Sequence, residues 1–106
     1  MKYKKIYKAD VYELLVNITL NVMNCTNCIN VINIASLLET SRYQAKKYID
    51  ELRKEELVKL VCINCSDEEE LYPPYWGYVL TDKGRDTDYY RQEQAKEIDL
   101  INKIFG

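Results

Sequence analysis

Histidine is absent from this chain of 106 residues. Its absence excludes Ser-His and Cys-His nucleophile pairs and every metal site that needs imidazole. Glycine occurs three times and proline twice, too rarely for a collagen-like or linker-rich chain. No phosphate-cradling glycine-rich loop is present, and no apolar run approaches the ~20 residues of a membrane helix. The opening Met1–Ile6 is basic, with no apolar stretch behind it as a secretory signal has. The expected location is therefore the cytoplasm, with the four cysteines beginning as thiols. The one dense carboxylate cluster, Asp67 to Glu70, falls where a loop is expected, and a loop holds acid and base groups poorly in place. No enzymatic activity is expected.

Apolar residues make up 47% of the chain and charged residues 30%, the composition of one globular domain spanning residues 1–106. The net charge of −2 argues against a nucleic-acid binder when taken alone, but it averages over uneven segments. Lys2, Lys4, Lys5 and Lys8 crowd the first eight residues. Between Ser41 and Lys54, five cations face only Asp50 and Glu51. The surface field follows local charge more than the total.

Apolar spacing predicts a helix from about Lys8 to Met23, with Val11, Leu14, Leu15, Ile18 and Val22 on one stripe. Asn24–Cys28 then breaks the period. The β-branched run Ile29–Ile32 predicts a brief strand, and Ile34–Glu39 a short helix with Leu37 and Leu38 inward. Thr40 or Ser41 caps a third helix, running from about Arg42 to Glu55 over a buried stripe of Ala45, Tyr48, Ile49 and Leu52. Leu57–Asn64 and Gly77–Thr81 read as the two strands of a hairpin. Its long tip holds the acidic run and the Tyr72-Pro73-Pro74-Tyr75 turn. Trp76 and Tyr78 are expected inward on the second strand. Thr81 then caps a last helix reaching Phe105.

The segment Leu38–Val58 and the passage Tyr78-Val79-Leu80-Thr81-Asp82-Lys83-Gly84 resemble the turn, recognition helix and wing of winged helix-turn-helix transcriptional regulators. The resemblance implies an α+β, mainly helical fold. Its parts are a winged helix-turn-helix, a short three-stranded antiparallel sheet and an added C-terminal helix over residues 82–106 that serves for dimerisation. It further implies sequence-specific binding of double-stranded DNA by a homodimer. Two departures stand out: Glu56 replaces the glycine usual before the Leu57-Val58 pair, and the wing is acidic where the family often carries a cation.

The expected DNA-contacting residues are Ser41, Arg42, Tyr43, Gln44, Lys46 and Lys47. Arg42 suits guanine and Gln44 adenine, while Lys46 and Lys47 suit phosphates or bases. The Lys-rich N-terminus adds phosphate contacts. Cys25-x-x-Cys28 and Cys62-x-x-Cys65 carry the spacing of zinc knuckles. The winged fold separates the two pairs, so disulfides, a thiol redox switch and plain burial stand beside structural zinc. Ile98, Leu100, Ile101, Ile104 and Phe105 give the last helix more apolar surface than a lone helix exposes. That excess fits pairing with a second copy. Two alternatives are a winged-helix protein-interaction module, meeting a protein partner through its acidic, aromatic wing, and a thiol- or zinc-responsive regulator.

Overall fold

A computed structural model describes residues 3–21, 28–63 and 75–105, without the side chains of Ile63 and Tyr75. The elements are α1 (Lys8–Leu20), α2 (Val31–Leu37), α3 (Arg42–Lys54), β1 (Val58–Ile63), β2 (Tyr75–Leu80), α4 (Asp82–Arg85) and α5 (Asp88–Phe105). The acidic run Asp67–Glu70, and with it the expected loop tip, lies outside the described residues.

The helix starts are set by side chains that accept from otherwise unpaired amides. Asp10 reaches back to the Tyr7 amide at the head of α1 (2.8 Å). Asn30 accepts from the Asn33 amide ahead of α2 (2.8 Å), and Ser41 accepts from that of Gln44 ahead of α3 (3.1 Å). The helices α1, α2 and α3 pack together and onto the sheet. Val11, Leu15 and Val16 meet Ile34, Ala35, Ala45, Ile49 and Leu52, and Val58, Tyr78 and Leu80 close the core from the hairpin.

The helices α2 and α3 both end in left-handed turns built on glutamate. Glu39 has φ 54° and Glu56 φ 63°. In each, the residue after the glutamate donates back to the third-last helical carbonyl: Thr40 to Ala35 (2.9 Å) and Leu57 to Leu52 (3.0 Å). Both are Schellman turns. So Glu56 takes up the conformation for which the family uses glycine, and the α3 end is built in the ordinary way.

The structure departs from the sequence expectations in five respects. The sheet has two described strands rather than three, paired antiparallel from Val58↔Leu80 to Ile63↔Tyr75. The expected strand Ile29–Ile32 contracts to one bridge, Ile29 with Tyr78, because the Asn30 cap commits Val31 onward to α2. Leu37 points outward while Ile34 and Ala35 fill the core. Trp76 is 58% exposed although Tyr78, on the same face of β2, is buried. The helices cover only the root of the hairpin, and Trp76 pairs with Cys62 farther out. The last helix is split: Thr81 caps α4 through the Gly84 amide (3.0 Å), and Thr87 accepts from the Tyr90 amide to start α5 (3.1 Å). Among the described residues, no helix is long and apolar enough to cross a membrane.

Candidate nucleic-acid interface

The α3 helix presents the expected contact residues because Ala45, Ile49 and Leu52 turn its other side into the core. Arg42, Tyr43, Lys46 and Lys47 are exposed, with Tyr43 at 77%, while Ser41 and Gln44 are half-buried. All six lie on the cap and first two turns. The Ser41 oxygen accepts from Gln44, so its hydroxyl proton remains available to an acceptor such as a phosphate.

Helical spacing extends this face beyond the six. Tyr43, Lys47, Asp50 and Lys54 succeed one another at i, i+4, i+7 and i+11, which places them on one outward ridge. Tyr43, Lys46, Lys47, Asp50, Glu51 and Lys54 line a single shallow groove. Lys54, Asp50 and Glu51 are the additions that the sequence reading missed, although the 3.6-residue period that marks the core also marks this ridge. The cations are not equally free. Lys46 pairs with Asp50 (2.5 Å), and Lys47 lies over the Tyr48 ring (5.3 Å). Arg53 lies over the Tyr78 ring (5.8 Å), at the root of the wing.

The described part of the N-terminal segment is fastened to the turn between α2 and α3. The Lys4 amide donates to the Glu39 carbonyl (2.8 Å), and the Thr40 hydroxyl donates to the Lys4 carbonyl (2.8 Å). The Lys4 side chain pairs with Glu39. At the far end of α3, Lys8 pairs with Glu55 (2.9 Å). Two of the N-terminal lysines therefore spend their charge on carboxylates within the chain. Both pairs are solvent-exposed, so each contributes at most about 1 kcal/mol and yields readily to a competing phosphate.

The two described cysteines, Cys28 and Cys62, do not come together. Cys28 is a free, buried thiol whose sulfur packs against Gly77 where a side chain would otherwise stand. Burial pushes its pKa up, which disfavours the thiolate that a metal needs. Cys62 is disulfide-bonded. It pairs across the ladder with Trp76, whereas Gly77 pairs with Val61, so alternation along β2 puts Cys28 and Cys62 on opposite faces of that strand. Cys25 and Cys65 lie outside the described residues. Among the described residues, no group of three or more His, Cys, Asp or Glu side chains is placed to hold a metal. A four-thiolate zinc site does not fit a disulfide-bonded Cys62 and a Cys28 packed into the core.

No protein-family model matches the chain, and no curated protein does. Solved structures do. RV1404 from Mycobacterium tuberculosis superposes with a TM-score of 0.55 at 21% identity, over 92% of this chain and 59% of that one. ZitR from Lactococcus lactis, solved in complex with DNA, superposes at 0.51 and 16% identity, over 98% of this chain and 60% of that one. The chain thus spans about three fifths of the length of these proteins. Its own elements, a helix-turn-helix at α2–α3 followed by a two-stranded wing, together with this likeness, make the fold a winged helix-turn-helix with an appended C-terminal helix.

Proposed function

We propose that this protein is a sequence-specific DNA-binding transcriptional regulator, working in the cytoplasm as a homodimer with each α3 in a major groove. The observation that carries the reading is the exposed, cation-bearing outer face of α3. It sits on the element that a winged helix-turn-helix presents to the major groove, in a fold shared with a protein solved on DNA. Base edges meet Arg42, Tyr43 and Gln44 near the start of α3, and Lys46, Lys47 and Lys54 meet phosphates. The second copy is supported by α5. Ile98, Leu100, Ile104 and Phe105 remain 52–83% exposed, more contiguous apolar surface than a helix in water sustains alone. Residues 82–106 are thus the dimerisation element, as two helices rather than one. The reading contains no catalytic step.

A thiol-dependent response is the finer form of the same reading, resting on the paired cysteine spacing and the Cys62 disulfide; zinc, which the cysteines as placed do not fit, enters only as an outcome of the test. One assay covers both: duplex binding by the full chain across a salt series, with and without a chelator and a reductant. Lys47→Ala and Lys54→Ala should each weaken binding and flatten the salt dependence by about one unit of slope, the signature of one lost phosphate contact. Binding that is unchanged in both variants removes α3 as the contact element. Binding indifferent to chelator and reductant removes the metal and thiol response.

A further inference from the structure

The helix α5 leaves the winged body through a joint at Asp86–Thr87, the two residues between it and α4. Tyr90, its one buried residue among those described, lies at its base, while Glu93, Glu97 and Ile101 farther along are half-buried. The Tyr89 ring packs on that of Tyr12 at 6.0 Å. At the same base the Tyr12 hydroxyl, from α1, meets two groups. It donates to the Gly84 carbonyl (2.7 Å), an otherwise unpaired acceptor at the end of α4. It also lies 2.6 Å from the Thr87 hydroxyl. The phenolic proton is committed to Gly84, so Thr87 donates to Tyr12, while the Thr87 oxygen accepts from the Tyr90 amide (3.1 Å). One side chain of the body thereby ties the end of α4 to the cap of α5. The remaining brace, Arg91 with Asp86 (2.7 Å) and Asp88 (2.8 Å), is exposed to water and holds the joint only weakly.

We propose that Tyr12 is a positioning residue: its hydroxyl, through Gly84 and Thr87, sets the angle at which α5 leaves the winged body, and with it the separation of the two recognition helices in the dimer. The inference rests on the dimeric DNA-binding reading. Leverage makes the angle matter. Eighteen helical residues extend about 27 Å at 1.5 Å each, so a swing of about 10° displaces the far end by about 5 Å. That exceeds the 3.4 Å rise of one base pair, while paired half-sites must sit about one helical turn apart.

Tyr12→Phe keeps the ring on Tyr89 and removes both hydrogen bonds, and Thr87→Ser keeps the hydroxyl. The parent first selects its half-site from a random duplex library. That half-site is then presented singly, and as inverted pairs at centre separations from about eight to thirteen base pairs. The parent should favour one separation by about tenfold or more. Tyr12→Phe should lose most of that preference, with single-half-site affinity changed less than about twofold, and Thr87→Ser should follow the parent. X-ray scattering of the DNA-free dimers reads the joint directly, and Tyr12→Phe should broaden the distance distribution. A Tyr12→Phe profile matching the parent's in spacing preference overturns the proposal. So does a loss equally large at the single half-site, which marks general damage. A parent that selects no duplex refutes the DNA-binding reading itself. The joint is then judged on scattering, and superimposable Tyr12→Phe and parent curves refute it separately.

Discussion

Gly84→Ala should destabilise the fold, although alanine is the better helix former. Gly84 lies in α4, directly under the end of the α3 turn. A Cβ built on it falls within 3.0 Å of the Leu57 carbonyl oxygen, and at 3.1 Å from the carbonyl carbon and 3.3 Å from Leu80 Cδ2. The Leu80 methyl can give way, but the Leu57 backbone cannot move freely. Its carbonyl accepts from the Thr81 amide (3.0 Å), and its amide closes the Schellman turn on Leu52. Relief of the clash therefore shifts α4 or breaks the Thr81 bond. Overpacking costs about 1–3 kcal/mol and a lost hydrogen bond about 1, against a gain of about 1 for replacing glycine within a helix. The net is about 2 kcal/mol, or roughly 10 °C in melting temperature for a domain of this size. Thermal unfolding followed by circular dichroism measures it, with Lys83→Ala as the exposed neighbouring control. A Gly84→Ala protein that melts within about 2 °C of the parent refutes the claim that this glycine is required by the close approach of Leu57.

Two further outcomes follow from the same packing. Glu56→Gly should raise the melting temperature by a few degrees, since the left-handed φ costs glutamate about 1 kcal/mol and the 3.9 Å contact with Lys83 is exposed. A lowered melting temperature would show that the flexibility glycine gives the unfolded chain outweighs that strain. Burial raises the pKa of the Cys28 thiol, so folding favours its protonated form. The contribution is fully present below the ordinary thiol value of about 8.5 and fades as pH rises through the raised folded value. Burial likewise raises that of Tyr89, with help from Glu13 and Glu93, in the same direction. Urea midpoints should therefore fall toward alkaline pH, and Cys28→Ala should flatten that fall. An unchanged slope in Cys28→Ala would assign it elsewhere.

Where one element decides its own conformation, its place was legible in the sequence. The α3 stripe of Ala45, Ile49 and Leu52 is buried as its spacing requires, and Ser41 caps the helix it precedes. The hairpin strands fall within two residues of their expected positions. What was not legible depends on partners distant in sequence or on competing caps. Ile29–Ile32 has strand composition, but Asn30 offers a side-chain cap that starts α2 one residue later. Gly84 and the cap residue Thr87 flank Asp86, but such residues also occur within continuous helices and do not by themselves mark a break. The joint there is stabilised by Tyr12, some seventy positions away. Trp76 alternates correctly with Tyr78, but periodicity does not reveal how far along the hairpin the helices reach. Of the site, the six residues at the start of α3 came from the resemblance and the helical face. The pairing of Lys4 with Glu39 and of Lys8 with Glu55 is invisible in the sequence because it requires the tertiary fold.

The outward ridge of α3 contains one residue that works against phosphate binding, and its removal tests the docking. Asp50 stands between Lys47 and Lys54 on that ridge and holds Lys46 at 2.5 Å. In a major-groove complex its carboxylate approaches the backbone, where a unit charge at about 4 Å is repelled by about 1 kcal/mol even at the dielectric of water. Asp50→Asn removes that repulsion and frees Lys46 for a phosphate. The exposed pair it gives up is worth only a few tenths of a kcal/mol to the helix. Non-specific duplex affinity should therefore rise about fivefold or more at low salt, and the salt slope should steepen by up to about one unit as Lys46 joins the contacts. Both gains should shrink as added salt screens them. A carboxylate in the groove has one favourable role, accepting from the amino group of cytosine. If Asp50→Asn instead weakens binding to the selected site at every salt concentration, and relaxes the preference at a single C·G pair, then Asp50 reads a base. The ridge would then lie deeper in the groove than phosphate contacts alone require.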